Sequence, residues 1–299
     1  MSYSENKMEE LVRLLERHTP NEGINETGIP EFATFRETSK KGRCATVYQS
    51  GVALLGQGKK VCYVDGKRYD YSAGRYLALY LPLPMESEVI EASPERPLLM
   101  AGLRINVAKI AKLVLKMSQM SYALPAAEPT DSAVIFAEPV DDTLIDPIIR
   151  LLRTLDNRLD RDMLAESIIE EIYFRLIVND RTGSLQQLLE QRGQVQQISR
   201  AVNHIHENLD EVVSVDELAT LVNMSTSSFR KTFREVMHMP PLQYAKGIKL
   251  GHAQLLIQQG KNASEAGYLV GYNSPAQFSR EYKRYFGFSP SETGRQLVA

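Results

Sequence analysis

The sequence predicts an α+β protein: an N-terminal β-barrel with flanking helices, then an all-α C-terminal domain in which one small helical unit occurs twice. Three observations carry this. Between residues 32 and 105, short runs of β-branched and aromatic residues alternate with turn residues. From 144 to 178, apolar residues recur at helical threes and fours. Near the C-terminus a short helix, a tight turn and a second helix follow one another twice, at nearly the same spacing.

In chain order, residues 8–18 form an amphipathic helix with Leu11, Val12, Leu14 and Leu15 on one side. Strands are expected at 44–55, 60–64, 67–71, 76–81, 88–92 and 98–105, separated by Gly56 to Gly58, Asp65-Gly66, Ala73-Gly74, Pro82 with Pro84, and Pro94. Asp65-Gly66 between two such runs is a two-residue hairpin signature. Six or more short strands closing on themselves make a small barrel. Helical periodicity returns at 107–120 and 144–178, the latter through Leu144, Ile148, Leu151, Leu152, Leu155, Leu159, Met163, Ile168, Ile172 and Leu176. That stripe suits packing against the barrel and equally a two-helix dimer seam, and periodicity does not choose between them. Residues 180–193 read as a connector with a helical piece at 185–191, which divides the chain into 1–183, a linker at 184–193, and 194–299.

Each copy of the doubled unit carries its own start signals. Ser214 with Glu217, and Asn262 with Glu265, have the spacing of a capping box. Leu218, Ala219 and Val222, then Ala266, Leu269 and Val270, give each first helix one apolar stripe. Ser225 caps the next helix; in the second copy Ser274 precedes Pro275, a residue tolerated at a first helical position because its missing N–H had no partner there. Phe229 and Phe233, then Phe278 and Tyr282, lie four apart and face inward, leaving Arg230, Lys231, Arg234, Ser279, Arg280 and Lys283 outward. This is the helix-turn-helix plan, whose second helix enters the major groove of DNA. Between the copies, residues 242–259 read as one helix of about 27 Å, against ~34 Å between successive major grooves on one face of a duplex. Gly247 and Gly251 weaken that strut by up to ~1 kcal/mol each unless close packing requires them.

Charge agrees once the chain is divided. Overall it is nearly neutral, at −2. From Ser225 onward ten Lys/Arg face four Asp/Glu, a net +6, while the remainder carries twenty-five against thirty-three, a net −8. A basic end on an acidic body fits a DNA-binding module joined to something else. No apolar run reaches membrane-spanning length, the opening residues do not read as a signal peptide, and two cysteines without metal-type spacing suit a reducing cytoplasm.

Two rival classes concern the barrel. A cupin-type metalloenzyme needs imidazoles converging on one ion, yet the five histidines are His18, His204, His206, His238 and His252, none of them in the barrel. A ligand sensor acting through protein contacts alone is the other. Cys44 and Cys62 fall on expected strands near Arg43 and near Lys59 and Lys60, where a cation lowers a thiol pKa; a free cysteine is otherwise a small buried hydrophobe. Tyr63, Tyr69, Tyr71, Tyr76 and Tyr80 suggest an aromatic pocket, but half of any strand faces out. His204 and His206, two apart on a helix at 195–208, are no chelating pair.

Residues 193–295 resemble the DNA-binding domain of the AraC family of bacterial transcription regulators. The resemblance rests on Val270, Gly271 and Tyr272; Phe278, Ser279 and Arg280; Tyr282 and Lys283; Phe286 to Pro290; and Ala253 with Leu256 in the strut. Gly267, Thr293 and Lys249 depart from it, where Ala, Tyr and Arg are usual. Residues 20–175 resemble the cupin-like sensor domain on one branch of that family, through Gln57 to Lys60, Tyr69, Tyr71, Ala73 to Leu77, Leu81 to Pro84, Glu91 to Pro94, Arg96 and Pro97. The resemblance implies a cytoplasmic, homodimeric transcription regulator, not an enzyme and without a cofactor. Its implied partners are promoter DNA, a small-molecule effector in the barrel and RNA polymerase, with no membrane. It implies base contacts by Ser227, Arg230, Lys231, Ala276, Ser279 and Arg280, and phosphate contacts by Thr226, Arg234 and Lys283. Cys44 and Cys62 are the candidate effector-binding residues.

Overall fold

A computed structural model describes residues 3–64, 66–120, 135–179 and 194–293. Within them the N-terminal half is a sandwich of two antiparallel sheets. Sheet I contains β1 (Gly23–Ile29), β2 (Phe32–Glu37), β4 (Gly51–Gln57), β7 (Arg75–Leu79), β9 (Leu98–Arg104) and β10 (Ile135–Pro139), in the order β1-β2-β9-β4-β7-β10. Sheet II contains β3 (Lys41–Tyr48), β5 (Lys59–Val64), β6 (Lys67–Ser72) and β8 (Leu83–Glu91), in the order β3-β8-β5-β6.

The expected closed barrel is therefore not formed: no strand pairing joins the edges of the two sheets among the described residues. The expected single strand at 44–55 breaks at Gln49 and Ser50, so that β3 pairs with β8 in one sheet and β4 with β7 and β9 in the other. The chain crosses back to sheet II at Gly58, whose φ is +90°, and a Cβ there would lie 2.7 Å from the Glu91 carbonyl oxygen. Only glycine meets both demands. Short strands separated by turn residues look the same for a barrel and a sandwich, because closure is decided by edge pairing between distant strands. Strands β1, β2 and β10 lack the clean alternation that marked the others. Asp65 of the expected hairpin and the 185–191 piece lie outside the described residues; Val64 still pairs with Lys67 across the turn, and Gly66 takes φ +76°.

Alternation sorts sheet I into two faces. Val52, Leu54, Tyr76, Ala78, Leu99, Ala101 and Leu103 pack against helices, while Leu55, Leu77, Leu79 and Leu98 turn toward sheet II. The helical layer comprises α1 (Tyr3–His18), α3 (Asp142–Thr154) and α4 (Arg158–Val178), with α2 (Val107–Gln119) beside α4. The 144–178 stripe is thus two helices, because Asn157 restarts the chain as an N-cap, accepting from the Leu159 amide at 2.8 Å. Its residues part company there. Leu152 is fully buried, whereas Leu159 and Met163 are 68% and 71% exposed. Tyr173 fastens α4 to the sheet: its buried hydroxyl donates to the Arg104 carbonyl at 2.6 Å and accepts from the Asn106 amide at 3.2 Å.

The C-terminal half is all α: α5 (Gln194–Glu207), α6 (Val215–Leu221), α7 (Thr226–Met237), α8 (Pro241–Gln258), α9 (Ala263–Leu269) and α10 (Pro275–Phe286), then a 3-10 turn, Pro290–Glu292. The strut α8 serves two cores. Tyr244 and Ile248 join Phe229 and Phe233, and Leu250 and Ala253 join Phe278, Tyr282 and Phe286.

The same strut lies on the outer face of sheet II. Ala45 and Val47 of β3 and Pro84 of β8 point outward into it. Its two glycines are explained by that contact, since a Cβ on Gly247 would lie 2.8 Å from Pro84 Cβ and one on Gly251 2.4 Å from Val47 Cγ2. Tyr244 completes the seat by donating to the Pro82 carbonyl at 3.1 Å, with His206 Nε2 at 2.8 Å. The layers therefore run helices, sheet I, sheet II, C-terminal helices.

Tyr173→Phe should cost about 1–3 kcal/mol, because it removes both hydrogen bonds of a buried side chain and leaves the half-buried Asn106 amide short of a partner; a denaturation midpoint equal to wild type would contradict this. Gly251→Leu should destabilise the full chain by roughly 1–3 kcal/mol through overpacking against Val47, although it favours the helix by up to ~1 kcal/mol. Combining it with Val47→Ala should recover part of the loss. Equal melting of Gly251→Leu and wild type would show that the strut is not seated on the sheet.

Candidate functional site

The two helix-turn-helix units are built alike from unlike residues. Each turn needs one residue in the left-handed region, supplied by Asn223 (φ 56°) in the first and Gly271 (φ 81°) in the second. Asparagine tolerates that conformation, but at Gly271 a Cβ would also sit 2.3 Å from the Asp210 carbonyl oxygen. The second turn is one residue longer, with Tyr272 and Asn273 standing where the first has Met224. The caps form as spaced. Ser214 accepts from the Glu217 amide at 3.3 Å, and Asn262 accepts from the Glu265 amide at 2.9 Å. Only the second is a reciprocal box, through Glu265 and the Asn262 amide at 3.3 Å. Ser225 and Ser274 cap the recognition helices α7 and α10.

Both recognition helices present the expected outward residues. Ser227, Arg230, Lys231, Arg234, Ala276, Arg280 and Lys283 are exposed, and Ser279 is half-buried. Thr226 is half-buried and its hydroxyl is committed, donating to Asp216 at 2.6 Å. Arg230, Arg234, Arg280 and Lys283 enter no ion pair among the described residues, and Lys231 has only the exposed Glu235 at 3.9 Å. Exposed pairs of that kind are worth ~1 kcal/mol or less, so these cations stand free for phosphate or base edges. Glu281 holds α10 in place instead: it pairs with Lys246 of the strut at 2.8 Å and accepts from Tyr272 at 3.0 Å.

The three departures from the family pattern are each accommodated. Gly267 lies under the Phe278 ring, where a Cβ would be 2.9 Å from a ring carbon. Lys249 donates to the Glu211 carbonyl at 2.6 Å, and buried Thr293 shares a 2.7 Å hydrogen bond with Tyr282.

The second place of interest is the space between the sheets. Cys44 and Cys62 both lie opposite Ser87, and with Tyr48 and Lys60 they form its sheet II wall. Of the five tyrosines singled out, Tyr69 and Tyr71 belong to this apolar interior, Tyr71 donating across it to the Ala53 carbonyl. Tyr76 and Tyr80 pack on the helical side, and Tyr63 stacks under Arg43 with 3.9 Å to its centroid. Burial pushes both thiols above the ordinary range, and the nearby Lys60 only partly offsets it. The lowered thiol pKa that a basic neighbour would produce is thus not realised. Burial disfavours the Lys60 ammonium, and the contact that works against this is its hydrogen bond to Tyr48. Lys60 was legible only as a neighbour of Cys62. Both faces of β5 mix polar and apolar residues, so alternation gave no sign that this lysine pointed inward.

Comparison with known proteins agrees with both halves. The family described as AraC-type transcriptional regulator N-terminus matches residues 28–184, and a helix-turn-helix domain matches 218–296. The lactose operon transcription activator of Staphylococcus xylosus is 26% identical over 255 residues, covering 83% of this chain and 84% of that protein. The transcriptional regulator ArgR of Pseudomonas aeruginosa is 27% identical over 154 residues, 50% of this chain and 46% of ArgR. Among solved structures, Vibrio cholerae ToxT with a bound unsaturated fatty acid shares the fold at a TM-score of 0.60 and 11% identity, covering 90% of this chain and 96% of that one. A family match over more than half the chain, joined to a doubled helix-turn-helix with free cations on both recognition helices, places this protein among the AraC-type DNA-binding transcription regulators.

Proposed function

We propose that this regulator is cytoplasmic and homodimeric, senses a small-molecule effector between its two sheets, and lays α7 and α10 in adjacent major grooves of promoter DNA. Residues 1–183 sense and dimerise, 184–193 link, and 194–299 bind DNA and work with RNA polymerase. The observation that carries the reading is the double use of β3. Cys44 and Tyr48 belong to the interior, whereas Ala45 and Val47 between them touch the DNA-binding half. An effector that moves this strand moves the seat of the strut. The unsaturated fatty acid held by ToxT supports a sensing role for the shared fold. Cys44 and Cys62 take part as neutral thiols lining the interior. A thermal-shift screen across chemical classes tests sensing, since a ligand that binds only the folded form raises the melting point by mass action; silence over every class would sink it.

At the DNA, Ser227, Arg230 and Lys231 of α7 and Ala276, Ser279 and Arg280 of α10 face bases, while Arg234 and Lys283 face phosphates; Thr226, its hydroxyl given to Asp216, has only its backbone N–H to offer a phosphate. Arg230→Ala and Arg280→Ala should each lose about 1–3 kcal/mol of specific binding, at different base positions. Unchanged affinity and footprint in both would refute the groove assignment.

Dimerisation uses the exposed part of α4. Leu159 and Met163 lie four apart with Leu164 beside them, 47% exposed, and make an apolar stripe that no described residue covers. Leu159→Glu or Met163→Glu should give folded monomers, whereas Leu152→Glu, in the core, should misfold. Sedimentation of wild type as a monomer at tens of micromolar would contradict this.

A further inference from the structure

Two charged side chains are buried among the described residues, and they are treated differently. Glu37, 5% exposed, is paired with Lys41 at 2.8 Å. Lys60, 7% exposed, pairs with no carboxylate among the described residues. Its ammonium interacts with the Tyr48 hydroxyl, and lies 5.1 Å from the Tyr48 ring centroid and 5.7 Å from that of Phe35. Lys60 belongs to β5 and Phe35 to β2, so this contact crosses from one sheet to the other. A buried cation held only by ring faces and a hydroxyl is costly, because burial removes its hydration and nothing returns a full charge.

The surroundings are apolar and aromatic. Phe35, Tyr48, Tyr69 and Met100 belong to the apolar interior yet stay half-buried, while Leu55, Leu77 and Met85 close the deeper part. Tyr48 donates to Ser87 at 2.9 Å, which sets hydroxyl groups beside the ammonium.

Resting on the sensing role proposed above, we propose that this interior takes a monocarboxylate with an apolar or aromatic body, its carboxylate paired with Lys60. One ammonium matches one negative charge; a phosphate dianion would ask for a second cation, and none is among the partners of Lys60. The aromatic and aliphatic walls take the body of the ligand. The carboxylate restores the missing counter-charge, and Tyr48 ties the event to β3, the strand on which the strut is seated.

The test uses the full chain, with octanoate, decanoate and 4-phenylbutyrate as probes, their amides as neutral partners, and inorganic phosphate. At least one acid should raise the melting point of wild type, and its amide and phosphate should not. Lys60→Met should melt at or above wild type, because it removes an unpaired buried charge at similar volume, and should bind that acid at least tenfold more weakly. A Lys60→Met protein that unfolds or melts lower would show the ammonium to be structural and overturn the proposal. Acids that shift both proteins equally would overturn it by placing the ligand away from Lys60. Response to the amides or phosphate alone, or to none of these probes, would overturn the carboxylate and leave sensing itself to the wider screen.

Discussion

The seating of the strut helix on the outer face of sheet II is the contact on which the rest of the arrangement depends. Two glycines in a helix interior cost up to ~1 kcal/mol each in helix propensity, and that loss is sustained because backbone approaches Val47 and Pro84 where no side chain fits. The strut also supplies Tyr244 and Ile248 to one helix-turn-helix core, and Leu250 and Ala253 to the other. One helix therefore sets where both recognition helices stand relative to each other and to the sensor.

Function follows from the layering. The strand next to the strut is also a wall of the interior, so an effector bound where we propose and the DNA-binding half would press on opposite faces of one strand. Tyr244 adds a polar tether from the strut to the Pro82 carbonyl, at the corner that leads into β8. On the DNA side, cations left free of carboxylates make electrostatic attraction available to phosphate, which makes binding salt-dependent. Glu281, by contrast, is spent on orientation, joining Lys246 of the strut to the recognition helix.

Much of this was legible in the sequence, for local reasons. Caps, turns and four-residue aromatic spacing are decided by neighbours in the chain, so both helix-turn-helix units and their outward residues could be read directly. The pairing of β5 with β6 and the strut are of the same kind. What escaped depends on partners far away in sequence. The break of 44–55 into strands of different sheets, and the open sandwich in place of a barrel, follow from pairing with β7, β8 and β9. The helical stripe ran unbroken on paper because Leu155 and Leu159 keep its period, while Asn157 stops the helix between them. The inward turn of Lys60 follows from register, which one residue of slip would have reversed. The glycines of the strut were visible as a cost; what they met was not.

Seating can be measured directly. A Cβ built on Gly251 lies 3.1 Å from Val47 Cβ, close to the separation of about 3.5–4.5 Å that a disulfide needs. In the full chain carrying Val47→Cys and Gly251→Cys, mild oxidation should form this bond within one molecule, in high yield and independent of protein concentration, with Cys44 and Cys62 still reduced. Thiols that remain free under those conditions, or that link only between molecules, would contradict a strut seated on sheet II.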